Sequence, residues 1–174
     1  MDFEGSHVGM PRLRHEPIPV AAVYWELSWN ARAHEHYRLW LLPVLLVWKD
    51  GRVVWSEDSV LGGAPYYAGR ADRDRVQKLV DDLEACGAFS SPFRFWSRYS
   101  HHVSHLDLAI ADGSRRLHLG ADGHPPDLSI PVYDGERDGQ FGQVWSDLYS
   151  ALMSLRPDEG HVVGELEFEL EWLP

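Results

Sequence analysis

The sequence predicts an α+β domain, a two-layer structure with a largely antiparallel sheet and two helices packed on one of its faces. Three observations lead there. Apolar residues recur at every second position in several segments, the period of half-buried strands. Two apolar runs double back at Asp-Gly, at Asp50-Gly51 and Asp112-Gly113, a dipeptide that favours the tight turn of an antiparallel hairpin. Two further segments, about 72–86 and 140–155, space their apolar residues three and four apart, as a helix with one buried face does.

The first 19 residues hold three prolines, two glycines and no periodicity, so they read as an extended arm ahead of a single domain spanning 20–174. From Val20, Ala21, Val23, Trp25, Leu27 and Trp29 alternate with Ala22, Tyr24, Glu26 and Ser28 as a strand. The run Tyr37 to Trp48 meets Asp50-Gly51 and returns as Arg52 to Ser56. A two-residue turn there pairs Trp48 with Val53, Leu46 with Trp55 and Val47 with Val54. Both faces are apolar, so the hairpin over 44–57 is expected to be central, with one face under helices and the other under the N-terminal strand or a second chain.

Leu61 to Gly69, with three glycines and a proline, reads as loop. A helix follows, with Asp72 as N-cap, Val76, Leu79, Val80 and Leu83 on one face, and Gly87 at its end. Ser91 to Ser104 is either a strand or an aromatic loop. Leu106, Leu108 and Ile110 then alternate with Asp107, Ala109 and Ala111 up to Asp112-Gly113, and Leu117 and Leu119 return. Gly120 to Gly139 is irregular. Phe141, Val144, Leu148, Leu152 and Leu155 mark the second helix, and Glu165, Glu167, Glu169 and Glu171 alternate with Leu166, Phe168, Leu170 and Trp172 as a last strand.

The succession Asp50-Gly51-Arg-Val-Val-Trp, Tyr67-Ala-Gly69, the helix closing in Cys86-Gly87-Ala88-Phe89, and a strand into Asp112-Gly113 resembles a pattern in small bacterial domains of unknown function. It covers about residues 44–120. The resemblance implies a fold and no activity.

Sixteen Lys+Arg against 27 Asp+Glu give a net charge of −11. Residues 1–120 hold 14 basic and 15 acidic groups (14 − 15 = −1), and residues 121–174 hold 2 and 12 (2 − 12 = −10). A nucleic-acid binder is not expected from a chain with this balance and no basic stripe. Cys86 is the one cysteine, so no intramolecular disulfide can form and a reducing, cytoplasmic setting is expected. The longest apolar run, Leu39 to Trp48, is interrupted by Pro43 and is half a membrane span, so no membrane partner is expected.

The phosphate-binding, dinucleotide-binding, nucleophile-elbow and zinc-protease motifs are absent from the sequence. Its ten histidines are more informative, five of them between 101 and 124. With Asp112-Gly113 as a two-residue turn, Asp107 faces His118 and His105 faces Gly120, which puts His105, Asp107 and His118 on the face opposite Leu106 and Leu108. Opposed Cβ atoms lie roughly 4.5 to 5.5 Å apart, so two imidazoles and a carboxylate can converge as a divalent-metal site for Zn, Fe or Mn, with His101 as a further ligand. The plain alternative is the solvated face that every one-sided hairpin needs.

Two functions compete. The first is a non-enzymatic binding domain, of the immunity type or another kind that holds a protein partner, with no cofactor and with Glu165, Glu167, Glu169 and Glu171 facing a basic protein. The second is a metal-dependent, hydrolase-like enzyme built on the histidine cluster. A homo-oligomer is compatible with the two-faced central hairpin.

Overall fold

A computed structural model describes residues 8–28, 39–90, 95–96, 104–122 and 136–173. Its strands are β1 (Val8–Leu13), β2 (Ala21–Ser28), β3 (Leu39–Val47), β4 (Arg52–Ser56), β5 (Tyr66–Arg70), β6 (Phe95–Trp96), β7 (Ser104–Asp112), β8 (Arg115–Asp122), β9 (His161–Gly164) and β10 (Phe168–Leu173). Helix α1 spans Arg73–Ala85 and α2 spans Glu136–Met153. Eight strands form one sheet in the order β6-β8-β7-β2-β3-β4-β5-β9, in which only β6 and β8 run parallel. β1 and β10 pair separately as a two-stranded ribbon. The chain is therefore α+β with a mostly antiparallel sheet.

Alternation along the strands sends side chains to two apolar clusters. Val23, Leu45, Val47, Trp55, Leu106, Leu108 and Ile110 pack with Val76 and Val80 of α1 and with Trp145, Leu148 and Leu152 of α2. Ala22, Tyr24, Leu46, Trp48, Val54 and Ala109 pack with Val8 and Met10 of β1 and Leu173 of β10. The central hairpin is buried on both faces because the ribbon, made from the two ends of the chain, supplies the second cover. Asp72 caps α1 by accepting the Asp74 N–H at 2.9 Å.

Several details differ from the sequence reading. Val8–Leu13, assigned above to an arm, form β1, with Met10 fully buried. The end of the stretch Leu61 to Gly69, read as loop, instead enters β5 (Tyr66–Arg70), and Gly69 is where Trp55 and the Glu159 carbonyl approach too closely for a side chain. β9 is also additional.

The first hairpin has a three-residue loop, Lys49-Asp50-Gly51. The Gly51 N–H bonds the Trp48 carbonyl at 3.0 Å, the Trp48 N–H bonds the Arg52 carbonyl at 2.9 Å, and Gly51 takes φ +88°. This is a turn closed by a left-handed glycine, and its odd length flips the pairing, so that Trp55 opposes Leu45 and Val54 opposes Leu46. In the second hairpin the turn residues are Gly113 and Ser114. Asp112 stays in the strand opposite Arg115 with its carboxylate held by Lys49 and Arg115. The register moves by two, which preserves faces but changes partners: Asp107 opposes Gly120, Ala109 opposes His118 and His105 opposes Asp122. Among the described residues no helix is long and apolar enough to cross a membrane.

Candidate functional site

Leu106, Leu108 and Ile110 of β7 turn toward the helices, which leaves Asp107 and Ala109 on the ribbon side. That side is not solvated. Asp107 is 2% exposed because β1 lies across β7 and β8. A buried carboxylate needs partners, and Asp107 Oδ1 lies 2.9 Å from His118 Nε2 across a diagonal of the hairpin. An ionised Asp107 carboxylate can only accept here, so the tautomer with its N–H at Nε2 is the one that satisfies this contact. The Tyr24 hydroxyl lies 3.4 Å from the same nitrogen and donates to the Gly9 carbonyl at 3.0 Å. The chain Asp107–His118–Tyr24–Gly9 thus ties the sheet to the ribbon through polar atoms inside an apolar layer. A Cβ on Gly9 would stand 3.0 Å from the Tyr24 hydroxyl, so glycine permits this approach.

Of the sequence-predicted metal ligands, the structure brings Asp107 and His118 into contact. The two-residue register shift places His118 two rows along from His105, a separation of about 13 Å along the strand. That overturns the direct pairing expected of His118 with Asp107 and of His105 with Gly120. His101 lies outside the described residues. Among the described residues, no group of three or more His, Cys, Asp or Glu side chains gathers as a metal cage.

The glutamate row stays at the surface and is paired with two arginines in and just after β1. Arg12 forms ion pairs with Glu169 at 2.7 Å and Glu171 at 3.0 Å, and Arg14 with Glu167 at 2.9 Å; Glu165 is exposed ahead of β10. Leu166, Phe168 and Leu170 pack on the ribbon-side cluster, whereas Trp172, expected in the core, is 55% exposed because its opposite residue is Gly9. Cys86 is exposed at the end of α1, its thiol against the Leu83 carbonyl at 3.3 Å, and the last turn of that helix carries no basic residue.

The sequence reading missed the segment after β4. Ser56 is fully buried, and its hydroxyl donates to the Gly63 carbonyl at 2.6 Å while accepting the Asp58 N–H at 3.1 Å. Asp58 Oδ1 accepts the N–H groups of Val60 and Leu61, each at 2.9 Å, and these bonds hold its carboxyl below the usual aspartate value. Trp25 Nε1 donates to the Val60 carbonyl at 2.7 Å, Tyr149 donates to the Ser59 carbonyl at 3.3 Å, and Gly62 and Gly63 take φ +69° and +92°. A loop fixed from both sheet and helix thus holds Val60 and Leu61 at 51% and 53% exposure. Asp58 two residues before an aliphatic pair that ends in Gly-Gly was the available signal. No family model matches the chain, and no curated protein or solved structure matches it.

Proposed function

We propose that the chain is a non-enzymatic binding domain that holds a protein partner, with the loop 58–63 as its contact. One observation carries this: two adjacent aliphatic side chains stand in solvent on a loop with its conformation already set. Exposed apolar groups on a mobile loop lose much of their contact energy to ordering, and a fixed loop avoids that loss. Glu57 and Asp58 beside the pair, and the net charge of −11, suit a basic partner, and an immunity-type role is the form that fits. Three of the four glutamates first assigned to that partner already form ion pairs with Arg12 and Arg14, so the aliphatic loop carries the reading in their place.

The arrangement of both helices on one face is part of this reading. Its support is that Val80 and Leu152 join one cluster, which leaves the ribbon side to β1 and β10. The lone Cys86 favours the cytoplasm. The test is a pull-down from the native host with wild type beside Val60→Ser with Leu61→Ser. A protein recovered stoichiometrically by wild type and lost with the folded double variant supports the reading, and equal recovery by both removes it. A hydrolase-like enzyme is the second reading, favoured only by the contact of His118 with the buried Asp107.

A further inference from the structure

Resting on the loop 58–63 as the partner contact, we infer that Trp25 of β2 and Tyr149 of α2 are its positioning residues, which fix from the core side the backbone that aims Val60 and Leu61. Two peptide groups flank Val60. The first joins Ser59 to Val60; its carbonyl accepts from the Tyr149 hydroxyl at 3.3 Å and its N–H donates to Asp58 Oδ1 at 2.9 Å. The second joins Val60 to Leu61; its carbonyl accepts from Trp25 Nε1 at 2.7 Å and its N–H donates to the same Asp58 oxygen at 2.9 Å. A peptide group is planar, so a plane held at both its oxygen and its hydrogen does not rotate. The two planes together set φ and ψ of Val60, and with them the direction of its side chain.

The Asp58 half of this frame is local, the bonding of an Asp to the backbone two and three residues on. The other half comes from donors 35 and 90 residues away in the chain. Trp25 is 5% exposed, and the Tyr149 ring stacks on Trp145 at 5.1 Å with the planes 11° apart, so neither donor can follow the loop if it moves. Past Leu61 the loop lies directly on β3: a Cβ at Gly62 would fall 2.7 Å from the Leu42 carbonyl oxygen and 2.9 Å from that of Pro43. Docking a partner on Val60 and Leu61 then requires little ordering of the loop. Loss of one aromatic donor restores that ordering cost while Val60 and Leu61 keep every atom they offer the partner.

The test compares Tyr149→Phe and Trp25→Phe with the wild type and with Tyr67→Phe, which removes a hydroxyl from another ring packed on the same core cluster. Amide hydrogen exchange of the full chain, read by NMR at Val60 and Leu61, needs no partner. The rates are expected to rise about fivefold in the first two variants and to stay at the wild-type value in Tyr67→Phe. The protein that the wild type captures through Val60 and Leu61 is then titrated calorimetrically, and is expected to bind the same two variants about fivefold more weakly. Far-ultraviolet dichroism checks folding; if Trp25→Phe does not fold, Tyr149→Phe, which keeps its ring on Trp145, decides the comparison. Unchanged exchange in both variants, or faster exchange with unchanged affinity, overturns the inference. Capture of no protein by the wild type defeats the partner-binding function instead, and the exchange rates then still decide whether the two rings hold the loop.

Discussion

Removing the Trp55 indole should cost the fold more than any change on the exposed surface. The ring is 4% exposed, stacks on Tyr67 at a centroid distance of 6.0 Å and lies under the Arg156 guanidinium at 5.8 Å. It also fills the space over two glycines: a Cβ at Gly160 would fall 2.2 Å from the ring and one at Gly69 3.0 Å. The backbone of β5 and the turn before β9 are thus shaped to the indole and cannot close over its absence without moving. A Trp side chain buries about 200 Å², which at about 25 cal/mol per Å² gives an upper limit near ~5 kcal/mol. Incomplete collapse of the cavity keeps the cost of Trp55→Ala at about 3 to 5 kcal/mol, a large part of a domain's stability. Urea unfolding at 25 °C followed by far-ultraviolet dichroism reads it, because that signal does not depend on the deleted fluorophore. A loss below about 1 kcal/mol, the typical cost of an average substitution, would refute the packing described for β4, β5 and β9.

Two further outcomes follow from the ribbon and the loop. Gly9→Ala places a methyl 3.0 Å from the Tyr24 hydroxyl and 3.1 Å from the Trp172 ring; overpacking and a weakened buried hydrogen bond should together cost about 1 to 3 kcal/mol, and unchanged urea stability would show that the ribbon does not sit where described. The carboxyl of Asp58 is held below its ordinary 3.8 by the Leu61 and Val60 N–H groups, and that of Asp112 by its bond to Lys49 and then by Arg115. For a lowered carboxyl the stabilisation is complete above the unfolded value and is lost as pH falls through the folded one. Stability should therefore drop on acidification from about pH 5 downward, and less steeply in Asp58→Asn; parallel acid limbs in the two proteins would count against the loop bonds.

The elements with strong local signals were legible in the sequence. Asp72 caps its helix, and Val76, Val80, Leu148 and Leu152 are buried as their spacing implies. Register was not legible, because Asp-Gly is compatible with turns of different lengths. Asp50-Gly51 closes a three-residue loop in which only Gly51 takes the left-handed position, whereas at Asp112 two cations hold the carboxylate and keep that residue in the strand. The ribbon was hidden because β1 contains Gly9 and Pro11, both weak strand signals, and gains its order from pairing with residues about 160 positions away. The same distant pairing buries Asp107 and occupies the glutamate row, so a face that alternation marks as polar became interior.

Photo-crosslinking in the native host tests the partner-binding account most directly, with a photoreactive amino acid placed at Leu61 and, in a second protein, at Val162, which is 60% exposed on β9. The account predicts one prominent adduct to a basic protein from position 61 and none of that species from position 162. The same adducts from both positions, or none from position 61, would contradict it.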